Sequence, residues 1–270
     1  MSWRWPTRLP KAIRSTEMVF PLYDDNSDRL TTPVVNYVLI AVNILVFVFL
    51  QGLGSNDKFT YAYSTVPKEI VSGKDVVTSD RVLVQPLTGQ QLVVPGLQPT
   101  PVTVYLTLIT SMFMHGGIAH ILGNMLFLWI FGDNVEDRMG HVRYLIFYLI
   151  CGVLASLSHV YATVAFSTDQ QSLYIPSLGA SGAISGALGG YLLLFPKRRV
   201  TVILFRFLTD VPAYVAIGIW FAFQLISGLG ILSRSAPTGG VAYAAHIGGF
   251  VAGLVLVKIF TLRVDRGRFA

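Results

Sequence analysis

Six stretches of this chain, residues 34–53, 117–132, 144–166, 179–195, 212–229 and 241–257, contain no Asp, Glu, Lys or Arg. An uncharged apolar run of about 20 residues is long enough to cross the roughly 30 Å hydrocarbon core of a bilayer as a helix. In lipid a helix also satisfies its own backbone N–H and C=O groups, which an irregular segment cannot do. The chain is 53% hydrophobic and only 13% charged, with a mean hydropathy of +0.60, which excludes an ordinary soluble domain. The expected fold class is therefore an all-α membrane protein with six transmembrane helices.

The runs divide the chain into a cytoplasmic N-terminal segment (1–33), a six-span membrane domain (34–257) and a cytoplasmic tail (258–270). A long outer loop, 54–116, joins helices 1 and 2. The first run lies too far in, and is too long, for a cleaved signal peptide, so it is expected to be a permanent anchor. Within the loop, Arg81-Val-Leu-Val-Gln-Pro and Gln91-Leu-Val-Val-Pro flank a Leu87-Thr88-Gly89-Gln90 turn and read as a β-hairpin.

Orientation follows from Lys and Arg. With the N-terminus inside, the inner segments hold Arg4, Arg8, Lys11, Arg14, Arg29, Arg138, Arg143, Lys197, Arg198, Arg199, Arg206, Lys258, Arg263, Arg266 and Arg268. The outer segments hold Lys58, Lys68, Lys74, Arg81 and Arg234. Both termini are expected in the cytoplasm, and a bacterial inner membrane is the expected location. The net charge of +6 then reflects topology and contact with the lipid bilayer, leaving no reason to invoke nucleic acid. The single cysteine, Cys151, lies in an apolar run, so neither an intrachain disulfide nor a cysteine metal site can form.

The fourth run opens Leu178-Gly179-Ala180-Ser181-Gly182, and Gly182, Gly186 and Gly190 make a ridge that admits a second backbone. The sixth run carries a second ridge, Ala245, Gly249 and Gly253, beside His246. Both helices descend from the outer side, so Ser181 and His246 lie at similar depth, and packing of the two ridges would bring them together. Serine needs a base to take its proton, and neutral histidine is the usual one. No acidic residue in a span is available to orient the imidazole, so the arrangement would be a Ser-His dyad. His120 and Asn124 are i and i+4 on one face of the second span and can donate hydrogen bonds to an oxyanion, with the backbone N–H of Ser181.

Taken together, Gly179-Ala180-Ser181-Gly182, Ala245-His246 with Gly249 and Gly253, His115 followed by His120 and Asn124, and Gly132-x-x-x-Glu136-x-x-x-Gly140 resemble the rhomboid intramembrane serine proteases. The resemblance implies a six-helix bundle that cleaves single-pass transmembrane protein substrates near the outer membrane face. It implies Ser181 as nucleophile, His246 as general base, His120 and Asn124 at the oxyanion, and His115 and Gly179 beside the site. No cofactor or metal is called for.

Two other classes are weighed against this. A catalytically inactive rhomboid-like chaperone or adaptor would keep the bundle but is expected to lose the serine or the histidine. A small transporter would need polar groups through the full depth of the bundle, whereas here they cluster in the outer half. Ser156, Ser158 and Ser185 are expected to serve packing, Cys151 to be an apolar packing residue, His141 to sit in an inner loop, and Glu136 to stabilise that loop with Arg138 and Arg143. No oligomeric state follows, since two facing ridges in one chain favour intramolecular use of the glycines.

Overall fold

The computed structural model describes residues 20–84, 91–167, 169–204, 207–232 and 243–262. The basic residues before position 20 and after 262, the turn 87–90, Arg206, the turn containing Arg234, and residues 241–242 at the expected start of the sixth span lie outside the described residues. The chain begins with strand β1 (Phe20–Asp24) and helix α1 (Val34–Leu45), which runs on through a wider turn to Leu50. Between α1 and the second apolar run lie short helices α2 (Asp57–Ala62) and α3 (Pro67–Ser72), strands β2 (Arg81–Val84) and β3 (Gln91–Val94), and α4 (Thr107–Thr110). The two strands pair antiparallel as expected over the four residues of each, with Arg81 opposite Val94 and Val84 opposite Gln91.

Next come α5 (Ile118–Phe127) and α6 (Asp133–Met139), which a wider turn at Leu128–Gly132 joins into one rod. They are followed by α7 (His141–Phe166), α8 (Ser181–Leu194), strands β4 (Arg199–Leu204) and β5 (Phe207–Pro212), α9 (Ala213–Leu232) and α10 (Tyr243–Thr261). A helix therefore stands at each of the six apolar runs. Three of these helices, Ile118–Met139, His141–Phe166 and Tyr243–Thr261, are long and apolar enough to cross a membrane; Val34–Leu50, Ser181–Leu194 and Ala213–Gly228 are apolar but shorter.

The body is helical, but the all-α reading is incomplete. Strands β1, β4 and β5 form an antiparallel sheet, β1 from the N-terminal segment and β4 and β5 from the connection between the fourth and fifth runs, where no strand is expected. Val200 and Val202 of β4 are fully buried and the residues between them are not. That period-2 pattern spans too few residues to stand out in a sequence dominated by membrane-length runs.

The second correction concerns the acidic stretch after Gly132. The second run was expected to end there, yet the helix continues to Met139 with Asp133, Asn134, Glu136 and Asp137 buried. Burial is tolerable because the carboxylates have partners. Glu136 accepts hydrogen bonds from the backbone N–H groups of Val35 (2.9 Å) and Asn36 (2.7 Å), the otherwise orphaned first turn of α1. It also meets Nδ1 of His141, 2.5 Å away, which is the first residue of α7 and not a loop residue. Asp133 pairs with Arg29 at 2.6 Å, and Asp137 accepts from the N–H and hydroxyl of Thr31. Gly132 leaves room for the hydrogen bond from Tyr144 to Asn36 (2.8 Å), since a Cβ there would run into both side chains.

Helix α8 is the centre of the bundle: every residue from Gly182 to Tyr191 is buried. A helix that is apolar on all sides belongs in the interior. Its glycines set the packing. A Cβ on Gly249 or Gly253 of α10 would strike the carbonyl oxygens of Gly182 and Gly186, and a Cβ on Gly186 would strike Cys151 of α7. Cys151 is a buried free thiol, in keeping with a packing role. Toward the C-terminal end of α8, the Tyr191 hydroxyl donates to Asp24 Oδ2 (2.6 Å), which also accepts from Asn134 Nδ2 (2.8 Å). Arg198 reaches both Asn134 and Asp28.

Two predictions follow. Gly253→Val should push α10 off α8 and lower the unfolding midpoint in detergent by the equivalent of about 1–3 kcal/mol, the usual scale of overpacking. Gly123→Ala, where nothing lies within 4 Å, should leave it within about 1 kcal/mol or raise it. The second concerns Asp24, whose burial pushes its carboxyl from the ordinary 3.8 up to about 7 despite the Tyr191 hydrogen bond. A folded-state pKa above the unfolded one favours the protonated form, so this contribution is complete below pH 3.8 and is lost as the pH rises through about 7. Melting curves at pH 5 and pH 8 should therefore show a fall in wild-type stability that Asp24→Asn, which keeps the acceptor but does not titrate, reduces.

Candidate active site

Ser181 is the first residue of α8, where the opening N–H groups of the helix have no intrahelical acceptor and carry the positive end of the helix dipole. The turn into the helix depends on Gly179, whose φ of 119° is one that L side chains rarely adopt. The N–H of Gly179 donates to Ser111 O at 2.9 Å, fixing the approach of the chain. The residue is required for space as well: a Cβ on Gly179 would lie 2.8 Å from Cε1 of His120. The sequence singled it out only as adjacent to the site, and it forms the surface on which the His120 ring rests.

His246 stands near the start of α10, three residues after Tyr243. Its Nε2 lies 2.8 Å from Ser181 Oγ. The two ridges expected to bring these side chains together do so, because α8 and α10 touch backbone to backbone at Gly182 and Gly249 directly beneath them. Ser185, one turn below Ser181, donates to the Ser181 carbonyl (2.6 Å) and is buried, which suits packing. Ser158 likewise donates to its own helix at Leu154 O.

His120 and Asn124 of α5 face the same place from the other side. The N–H of Gly116 lies 3.4 Å from His120 Nδ1, which makes Nδ1 an acceptor and leaves the ring hydrogen on Nε2. That Nε2 lies against Gly179, and Asn124 Nδ2 is close by. Asn124 is buried with its Nδ2 lacking any hydrogen-bond partner, a costly arrangement for a donor unless something occupies the space before it. Two neutral N–H donors thus converge beside the N-terminus of α8.

His115 is placed beside the pair and does not reach Ser181. Its buried ring stands edge-on to His120, with centroids 5.3 Å apart, and its backbone is gripped by one side chain. Gln51 at the end of the first helix accepts from His115 N (3.0 Å) and donates to His115 O (2.9 Å) and Thr60 Oγ1 (2.8 Å).

Two residues of this region escaped the reading of the sequence. One is Gln51. The other is Gln224 of α9, whose Oε1 lies 2.7 Å from His246 Nδ1, so the imidazole has a partner on both nitrogens. The available signal was that Gln224 is the one side-chain amide in the run 212–229. Among the described residues, no group of three or more His, Cys, Asp or Glu side chains is placed to hold a metal ion.

A family model described as the Rhomboid domain matches residues 103–263, which covers α4 to α10 and every residue of the site except Gln51. The chain is 31% identical over 173 residues to "Rhomboid protein 1, mitochondrial" of Saccharomyces cerevisiae, covering 64% of this chain and 46% of that protein. It is 34% identical over 149 residues to "Rhomboid protease GluP" of Bacillus subtilis, covering 55% of this chain and 25% of that protein. A third relative, "RHOMBOID-like protein 12, mitochondrial" of Arabidopsis thaliana, is 32% identical over 172 residues, 60% of this chain and 47% of the relative. The chain spans less than half the length of each of these three. Since the matched domain takes in well over half of the sequence and the whole seam between α8 and α10, this membrane protein belongs to the rhomboid family.

Proposed function

We propose that this protein is an intramembrane serine endopeptidase that cleaves single-pass transmembrane substrates near the outer membrane face. The observation that carries the reading is the 2.8 Å approach of His246 Nε2 to Ser181 Oγ at a helix N-terminus. The relative from Bacillus subtilis is itself named a protease, and this supports the chemistry.

In this reading all six apolar helices span the bilayer. Residues 1–33 and 258–270 face the cytoplasm of a bacterial inner membrane, and the loop 54–116 lies outside, as the distribution of Lys and Arg favours. Helix α8 has 14 residues, about 21 Å of helix against roughly 30 Å of hydrocarbon. Ser181 then sits below the outer surface, where a substrate helix entering from the side presents its outer end. That end must unwind, because a peptide bond inside a helix is shielded by its hydrogen bonds and side chains.

Ser181 Oγ attacks the exposed carbonyl carbon as its proton passes to His246 Nε2. The oxyanion that forms accepts hydrogen bonds from His120 Nε2–H, Asn124 Nδ2–H and the first N–H groups of α8. His246 then protonates the leaving amine as the C–N bond breaks. Water, deprotonated by the same histidine, releases the acyl group and restores the serine.

A fluorophosphonate probe in detergent tests the nucleophile. The wild type should label, and Ser181→Ala and His246→Ala should not. A folded wild type that neither labels nor cleaves a model transmembrane substrate would turn the reading toward an inactive scaffold. Asn124→Ala should lower kcat by about 10- to 1,000-fold, at or below the usual scale for one oxyanion donor because other donors remain; undiminished turnover removes Asn124 from the site.

A further inference from the structure

Helix α9 places Trp220 and Gln224 one turn apart on the face turned toward α10. The Trp220 ring lies 6.1 Å from the His246 ring, and Phe221 stacks on Phe250 at 4.2 Å, fixing the rotation of α9 against α10. In this setting the buried Gln224 presents its carbonyl oxygen to His246 Nδ1 at 2.7 Å. The geometry points to Gln224 as a positioning residue that decides which nitrogen of His246 carries the hydrogen. The inference rests on the reading of Ser181 and His246 as nucleophile and base.

A carbonyl oxygen only accepts, so Nδ1 must be the donor in this contact. A neutral imidazole has one N–H, and placing it on Nδ1 leaves a lone pair on Nε2, the nitrogen 2.8 Å from Ser181 Oγ. The Ser181 hydroxyl then donates to Nε2, which is the arrangement from which its proton can be taken. In the opposite tautomer Nε2–H would point at Oγ, and the serine would face a donor and not a base.

Gln224 also explains how the pair manages without a carboxylate. Among the described residues, the ionisable groups that act on His246 are the imidazoles of His120 and His159, neither of which carries the negative charge of a carboxylate. An amide oxygen supplies the acceptor without an ionised side chain in an apolar helix, where a charge is costly. When Nε2 takes the serine proton, the Nδ1–H to Gln224 contact persists and strengthens, because its donor is then charged.

The test uses the full chain in detergent with 15N-labelled histidine, the His246 signals being identified by their loss in His246→Ala. Wild-type His246 should show a protonated Nδ1 and a bare Nε2. Gln224→Met, of similar length but without the acceptor, should shift the population toward Nε2–H. It should also lower kcat on a model transmembrane substrate by about 10- to 100-fold, part of what a general base contributes, with KM changed less than about twofold. Gln224→Glu, which restores an oxygen at the same place, should recover the Nδ1–H form and bring kcat to within about threefold of wild type. A wild-type His246 protonated on Nε2, or a Gln224→Met variant that keeps Nδ1–H, overturns the inference whatever the chain cleaves. Cleavage that survives Ser181→Ala would instead remove the proteolytic reading, and the tautomer measurement would still decide whether Gln224 holds the ring.

Discussion

The structure depends on the approach of two backbones, α8 and α10, at Gly182 against Gly249 and Gly186 against Gly253. Lipid tails are as apolar as leucine side chains, so no hydrophobic force draws membrane helices together. Association relies on close contact, which small residues permit. Here the contact is tight enough that a single Cβ at Gly249 or Gly253 would occupy the place of a carbonyl oxygen. Ser181 and His246 sit at the end of this seam where both helices begin, so the distance between their side chains is set by a packing surface much larger than the pair itself.

The rod formed by α5 and α6 ties that end to the opposite one. It carries His120 and Asn124 beside Ser181, and some turns below it carries Asp133, Asn134, Glu136 and Asp137. The residues of α6 hold the N-terminus of α1 through Glu136 and strand β1 through Asn134 and Asp24, while Tyr191 joins α8 to the same carboxylate. At the other end Gln51 grips the His115 peptide. Both ends of the rod are therefore fixed against the first helix, which holds His120 and Asn124 at the height of Ser181.

The candidate site is built from neutral groups. Its donors are a helix N-terminus, an amide and an imidazole whose ring hydrogen is placed by Gly116, and its acceptor for Nδ1–H is another amide. Fixed dipoles of this kind stabilise charge that develops during a reaction without requiring a resident charge in an apolar setting. The carboxylates of Asp133, Glu136 and Asp137 lie at the far end of the rod, where backbone N–H groups, Arg29 and Thr31 meet them.

The sequence by itself determined the apolar helices, their order, and the meeting of Ser181 with His246. Membrane-length uncharged runs and two small-residue ridges are local patterns, and each ridge adjoins its reactive side chain. It also carried the pairing of β2 with β3, since alternation and turn signals are local too. It did not carry the sheet of β1, β4 and β5, because strands this short gain their meaning only when residues far apart in the chain pair. Nor did it reveal that the acidic stretch after Gly132 is buried helix: carboxylates read as loop until their distant partners, Val35, Asn36 and Arg29, are in view. Gln224 belongs to the same class. A lone amide in an apolar run has no direction of its own, and only the rotation of α9 against α10, set by side-chain packing, turns it toward His246.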